Sequence, residues 1–204
     1  MEPYVQAMPG YRINEYLIVL TPHAELRNRI MQVTKEFNDL YRPAKSSGGK
    51  PRLGLVRFTQ IEMMEEKIVN RLKTIAMGYH PIKVELKNFG SLPSHTIYIN
   101  VISKEPIRGL VREIKDVQRL MKLDNENKPH FIDEPQISVA RKLTPWQYEK
   151  GWLDFSNRHF TGRFIADSML LLKRRQGELA WQVAQRFEFM NLPVATRQGS
   201  FEFF

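Results

Sequence analysis

Apolar residues along the chain switch between two spacings. Tyr16–Leu20 is an apolar run of strand length, closed by Thr21-Pro22. Leu26, Ile30, Val33, Phe37 and Leu40 then recur at steps of four and three, which lays one helical stripe against a core. Arg42–Lys50 (RPAKSSGGK) breaks the pattern with Gly, Ser and basic residues and reads as a loop. Leu53–Phe58 predicts a second strand. Met64, Ile68, Leu72 and Ile75 mark the apolar face of a helix over Ile61–Met77. Ile82–Phe89 and His95–Ile102 read as a hairpin joined by the turn Gly90–Ser94.

The second half follows the same order. Ile107, Leu110, Ile114, Val117 and Met121 predict a helix, Asp124–Glu134 a polar loop, and Gln136–Arg141 a strand. Thr144-Pro145-Trp146-Gln147 has a cap residue, Pro at the first helical position and Gln three residues after the cap, so a helix starts there and runs to about Asn157. Phe164–Lys173 and Trp181–Met190 predict two closing strands. Residues 1–13 show no periodicity and read as an arm, residues 14–192 as one domain. The tail 193–204 ends in Phe201-Glu202-Phe203-Phe204, which either docks on the body, the favoured reading, or offers a contact to a second copy.

An internal echo locates a candidate site. Pro51-Arg52-Leu53-Gly54-Leu55-Val56-Arg57 recurs as Pro135-Gln136-Ile137-Ser138-Val139-Ala140-Arg141. Each copy follows a loop and precedes a helix, so two similar βαβ-like halves are expected to face each other across a cleft. Strand alternation puts Leu53, Leu55, Ile137 and Val139 on the packed side, and Arg52, Gly54, Gln136 and Ser138 on the other. Alternation of this kind is common in half-buried strands, so the repeat alone does not assign a function.

Composition narrows the chemistry. The chain has 204 residues and a formal charge of +9, from 31 Lys+Arg against 22 Asp+Glu, which suits polyanionic partners as well as plain solubility. It contains no cysteine, which excludes disulfides, thiolate metal sites and cysteine nucleophiles. No apolar run is long enough for a membrane span and the N-terminus does not read as a secretory signal, so a cytoplasmic location is expected. The histidines and carboxylates show no metal-ligand spacing. Ser47-Gly48-Gly49-Lys50 lacks the spacing of a P-loop but suits a basic lid carrying Arg42, Lys45 and Lys50. Trp146, Tyr148, Trp152 and Phe155 share one helix and read as core rather than as a base-stacking surface.

The paired strand motifs resemble those of the two-histidine phosphoesterase superfamily, which includes 2′-5′ RNA ligases and cyclic phosphodiesterases. Tyr16–Tyr41, Phe89-Gly90 with the strand after it, and Leu170–Arg174 are similar as well, so the resemblance covers about residues 14 to 192. It implies an α+β fold: a two-lobed, pseudo-symmetric pair of βαβ-type halves with antiparallel-rich sheets around a central cleft. It also implies metal-independent phosphodiester chemistry without a cofactor, in which two His-x-Thr/Ser motifs flank one phosphate. There one imidazole takes a proton and the other gives one.

Carried over position by position, the first family histidine falls on Arg52, its hydroxyl partner on Gly54, the second histidine on Gln136 and its partner on Ser138. Arg is always protonated and Gln does not titrate, so neither serves as a general base. The set Arg52, Gln136, Ser138, Lys142, Lys50 and Lys45 still suits a phosphate, which makes RNA or a nucleotide the expected ligand of a catalytically degenerate member. Two alternatives stand beside this reading: a phosphodiesterase rescued by His130 in the loop before Pro135, and a structural protein that binds partners or a second copy through its tail. His159-Phe160-Thr161 has the family spacing without a strand around it. His23, His80 and His95 read as capping or surface residues.

Overall fold

A computed structural model describes residues 8, 10–42, 49–93 and 95–193; Lys45, most of the expected lid and the aromatic tail lie outside them. The element order is β1 (Ile13–Leu20), α1 (Ala24–Tyr41), β2 (Leu53–Ile61), α2 (Glu65–Gly78), β3 (Ile82–Leu92), β4 (Thr96–Val101), α3 (Lys104–Lys115), α4 (Gln118–Met121), β5 (His130–Phe131), β6 (Gln136–Arg141), α5 (Pro145–Ser156), β7 (Thr161–Ala166), β8 (Ser168–Arg175) and β9 (Gln182–Glu188). The strands form two sheets, ordered β5-β2-β1-β8-β9 and β6-β4-β3-β7. Every described pair is antiparallel. This is the expected α+β class with antiparallel-rich sheets, since each βαβ-type succession returns its second strand against the first rather than alongside it.

The helices cross between the sheets. Helix α1 leaves the first sheet and packs on β6 and β7 of the second, beside α5. Helices α3 and α4 leave the second sheet and pack on β2 of the first, beside α2. Each sheet is thus covered by a helix that the other supplies, and the buried apolar residues of both form one continuous core. Burial of this kind is the main favourable contribution to folding.

Local chemistry fits these elements. His23 caps α1 by accepting the Leu26 N–H on Nδ1. Thr144 and Gln147 close the expected capping box on α5. Gln147 also donates through Nε2 to the carbonyls of Tyr41 and Arg42, so the cap of α5 doubles as the stop of α1. Among the described residues no helix is long and apolar enough to cross a membrane.

Several expectations change. Leu40 is 54% exposed and the following Tyr41 is buried in its place. Ile61 ends β2, and Glu62–Met64 form a 3₁₀ turn before α2. Gly90 lies within β3 rather than in the turn. The loop 124–134 holds the short strand β5, which zips onto the edge of β2. Phe164–Lys173 is two strands, not one: the chain leaves the second sheet at Ala166 and enters the first at Ser168, with Asp167 as the only link. Trp146 is 58% exposed, while Phe155 is fully buried and Tyr148 and Trp152 pack against the core.

Candidate phosphate-binding cleft

The two motif strands lie on opposite walls of one cleft of about 920 Å³. Each motif contains a β-bulge at the same place. Against β1, Ile18 faces Val56 and Val19 faces Gly54, so Leu55 is the extra residue. Against β4, Ile97 faces Ala140 and Tyr98 faces Ser138, so Val139 is the extra residue. The burial sequence over the seven positions is the same in both copies: two consecutive buried residues at the bulge, then an exposed arginine. A bulge shifts the alternation by one. Arg57 therefore shares the cleft side with Arg52 and Gly54, and Arg141 shares it with Gln136 and Ser138.

The charge lining this space is one-sided. Lys50, Arg52 and Arg57 come from the β2 wall, Arg174 from β8, Lys35 from α1, and Arg141 and Lys142 from β6; Asp39 is the only carboxylate among the described lining residues. Glu15, on β1, accepts from Arg174 at 2.5 Å and from Arg57 at 3.0 Å. Burial pushes the Glu15 carboxyl up, but the hydrogen bond and charge of Arg174, then those of Arg57, outweigh it and hold the group below its ordinary value. Arg52 has no such acidic partner among the described residues. Burial lowers its pKa, and the charges of Arg141 and Arg174 lower it further. Burial and then the Arg57 charge do the same to Arg141, which stays open to solvent and is screened accordingly. Both remain cations at neutral pH.

Trp181, just before β9, braces the cluster. Its ring centroid lies 4.5 Å from the Arg174 guanidinium and 5.5 Å from that of Arg52, both within cation–π range. Ser138 accepts from Arg141 Nε at 2.6 Å, so its hydroxyl proton is left to point elsewhere. Lys142 follows at a positive φ of 55°, which turns the chain at the cleft rim. Gly54 is not open space. A Cβ at this position would sit 2.6 Å from Ile132 Cδ1. The isoleucine follows β5 and is tied down by its N–H to the Leu55 carbonyl at 2.9 Å.

Of the expected site residues, Lys50, Arg52, Gly54, His130, Gln136, Ser138 and Lys142 all line this cleft. His130 sits in β5, directly across from Arg57. His95 instead bonds the Pro93 carbonyl through Nδ1, and His80 stacks on Tyr79. The sequence reading missed Arg57, Arg141, Arg174 and Trp181 as cleft residues. The motif arginines were visible as a matched pair, but plain alternation put them on the wrong side. Among the described residues no group of three or more His, Asp or Glu side chains could hold a metal ion.

The family model of the 2′-5′ RNA ligase superfamily matches residues 22–178. The chain belongs to that superfamily. The fold agrees with solved structures of similar proteins. Escherichia coli LigT, complexed with 3′-AMP, superposes with a TM-score of 0.61 at 13% identity, covering 87% of this chain and 98% of LigT. TT0787 of Thermus thermophilus gives 0.59 at 15% identity, over 86% and 98% of the two chains. No curated protein sequence matches the chain. At these identities the structural likeness speaks for the superfamily's fold, and the function rests on the cleft.

Proposed function

We propose that this superfamily member holds an RNA or nucleotide phosphate in the cleft, in the cytoplasm, without the histidine pair that carries the superfamily's acid–base chemistry. One observation carries the reading: the cleft's described lining has seven cations and one carboxylate, and half-buried Arg52 among them has burial, then the charges of Arg141 and Arg174, against its charged form. Like charges held together in a partly dry space cost folding energy. An anion seated between them removes that cost, and a guanidinium fork suits phosphate oxygens. With Arg52 and Gln136 at the two motif positions, nothing there titrates near neutrality. The superfamily's general acid and base each contribute about 10²–10⁴-fold in rate, so recognition outlasts chemistry when both are replaced. The structure of LigT complexed with 3′-AMP supports this reading.

The test has two parts. Binding of a short fluorescent RNA is measured at about 50 and 200 mM salt; affinity is expected to fall roughly tenfold, because each phosphate contact releases counterions. Phosphorus NMR of protein incubated with 2′,3′-cyclic nucleotides is expected to show no product. Affinity indifferent to both salt and Arg52→Ala overturns the proposal. Turnover favours a second reading, in which His130, exposed in the cleft across from Arg57, supplies a proton-transfer group. In that case His130→Ala abolishes the turnover.

A further inference from the structure

Between α4 and β6 the chain runs as a strap along one side of the cleft. Residues 123–134 leave α4 where it packs on β2, pair with the edge of β2 over two residues as β5, and lead into the second sheet at Gln136. Of these residues only Pro129 is buried. The first part of the strap is bonded to itself. The Asp124 carboxylate accepts the N–H groups of Glu126 at 2.8 Å and Asn127 at 2.7 Å, and the Leu123 N–H donates to the Asn127 carbonyl at 3.3 Å. The roots are firm. Buried Gln60 donates through Nε2 to the carbonyls of Leu120 and Lys122, at 2.9 and 3.1 Å, and Pro135 is buried at the other end. Between the roots, the short β5 ladder, the Ile132 N–H on the Leu55 carbonyl and Lys115 over the Phe131 ring hold the strap to the body. One carboxylate completes the fastening. Glu134 accepts from Lys104 Nζ at 2.6 Å and from the Arg108 guanidinium, which also donates through Nε to the Asp133 carbonyl at 3.2 Å.

A segment that buries so little apolar surface opens locally, well before the domain unfolds. Its ion pairs lie at the surface, where such pairs are weak. The strap nevertheless supplies part of the cleft wall: His130, which stands across from Arg57, and Ile132, whose side chain lies over Gly54. Both leave the wall when β5 lifts from β2. A ligand shifts such an equilibrium only through contacts that differ between the two states, and these two side chains supply the difference. We propose that residues 123–134 are a gate on the cleft, latched by Glu134 to Lys104 and Arg108 of α3, which opens as a unit about its roots at Lys122 and Pro135 and closes on a bound anion. The gate rests on the reading of the cleft as a phosphate site and adds how access to that site is controlled.

Hydrogen exchange of the full chain, resolved by peptide mass spectrometry, tests this. Three proteins are compared, each with and without a short fluorescent RNA: the natural chain, Glu134→Gln and Arg112→Gln. Glutamine keeps the size of residue 134 and removes its charge. Arg112 is exposed on the same helix and lies outside the latch, so it serves as the control. Without RNA, strap peptides of the natural chain are expected to exchange faster than those of β1 and β6. In Glu134→Gln they should exchange about two- to fivefold faster again, the range that exposed ion pairs contribute. Arg112→Gln should match the natural chain, and bound RNA should slow strap exchange in all three. Strap peptides that exchange no faster than β1 would show that the segment does not open by itself. A rate unchanged in Glu134→Gln would remove the latch. Either result overturns the proposal. RNA that binds, as its fluorescence reports, and leaves strap exchange unaltered overturns the gate while the phosphate site stands. RNA that does not bind at all overturns the phosphate site and the closing step together, and the exchange without RNA still decides whether the latch exists.

Discussion

Arg57 and Arg141 face the same cleft from opposite walls because each lies two residues beyond a β-bulge, at Leu55 and at Val139. The repeat therefore preserves an irregularity as well as a sequence. A bulge is left unpaired and bends its strand; having one at the same position in both motifs turns two matched arginines toward a shared space. The consequence is electrostatic. Arg57 shares the Glu15 carboxylate with Arg174, whereas Arg141 bonds the Ser138 hydroxyl, has no ion pair among the described residues and adds its charge to that of Arg52.

Arg52→Gln should therefore stabilise the empty protein. It removes a half-buried cation repelled by Arg141 and Arg174, and the lost contact with Trp181 offsets part of the gain. A rise in Tm of about 1–3 °C at low salt is expected, where 1 kcal/mol corresponds to roughly 2–4 °C for a chain of this size. The gain should shrink toward zero near 1 M salt, where charges are screened within about 3 Å. The same variant should lose the thermal shift that RNA gives the natural chain. A Tm that drops at low salt would show that Arg52 is a structural cation, not a binding one.

Trp181→Leu separates bracing from charge. The ring touches the Arg52 and Arg174 guanidiniums without contributing charge of its own. Each cation–π contact is worth about 0.5–1 kcal/mol at exposed sites. RNA affinity should therefore fall about two- to fivefold while its salt dependence stays the same. Arg52→Ala should lower affinity and also flatten the plot of log affinity against log salt by about 0.7, the contribution of one single-strand phosphate contact. Both variants are read in one fluorescence titration series.

Glu15 gives the cleft a pH dependence. Its folded-state pKa is depressed, so it contributes stability above its ordinary value near 4.5, and this stability is lost as pH falls through the lower folded value. The stability difference between the natural chain and Glu15→Gln should be full at neutral pH and should close on acidification below about pH 4.5. Urea denaturation at a series of pH values measures it. A difference that persists at pH 2 would mean that Glu15 acts through packing rather than through its charge on Arg57 and Arg174.

Much of this fold was legible in the chain. The 2.0 and 3.6 periods located most elements, and Thr144-Pro145 with Gln147 announced a capping box that the structure contains. The repeat located the cleft. What escaped depends on partners distant in sequence. A bulge is a relation between two strands, and the alternation Leu55-Val56-Arg57 carries no trace of it. Phe164–Lys173 reads as one strand because buried residues recur on both sides of Asp167, Phe164 and Ala166 in one sheet and Ser168 onward in the other. The exchange of α1 and α3 between sheets is decided by packing, not by propensity. Arg174 and Trp181 reach the cleft only because β8 pairs with β1, which places Arg174 opposite Glu15.

The contact between Gly54 and Ile132 bears on how the superfamily's chemistry is rebuilt. Installing both histidines and the first hydroxyl, as Arg52→His, Gly54→Thr and Gln136→His, places the new Cβ 2.6 Å from Ile132 Cδ1. That methyl is the free end of a flexible side chain, so Ile132 relieves the contact by changing rotamer at small cost. The triple variant is therefore expected to melt close to the natural chain and to open 2′,3′-cyclic nucleotides, with phosphorus NMR as the readout. Adding Ile132→Ala clears the space while keeping the backbone hydrogen bond from residue 132 to Leu55, so β5 stays zipped to β2 and both readings should be unchanged. The pH–rate profile should be bell-shaped around neutrality, as one imidazole must be neutral and the other charged. A fourfold variant that folds, binds nucleotide and stays silent would mean that Arg52 and Gln136 do not stand where the superfamily keeps its histidines.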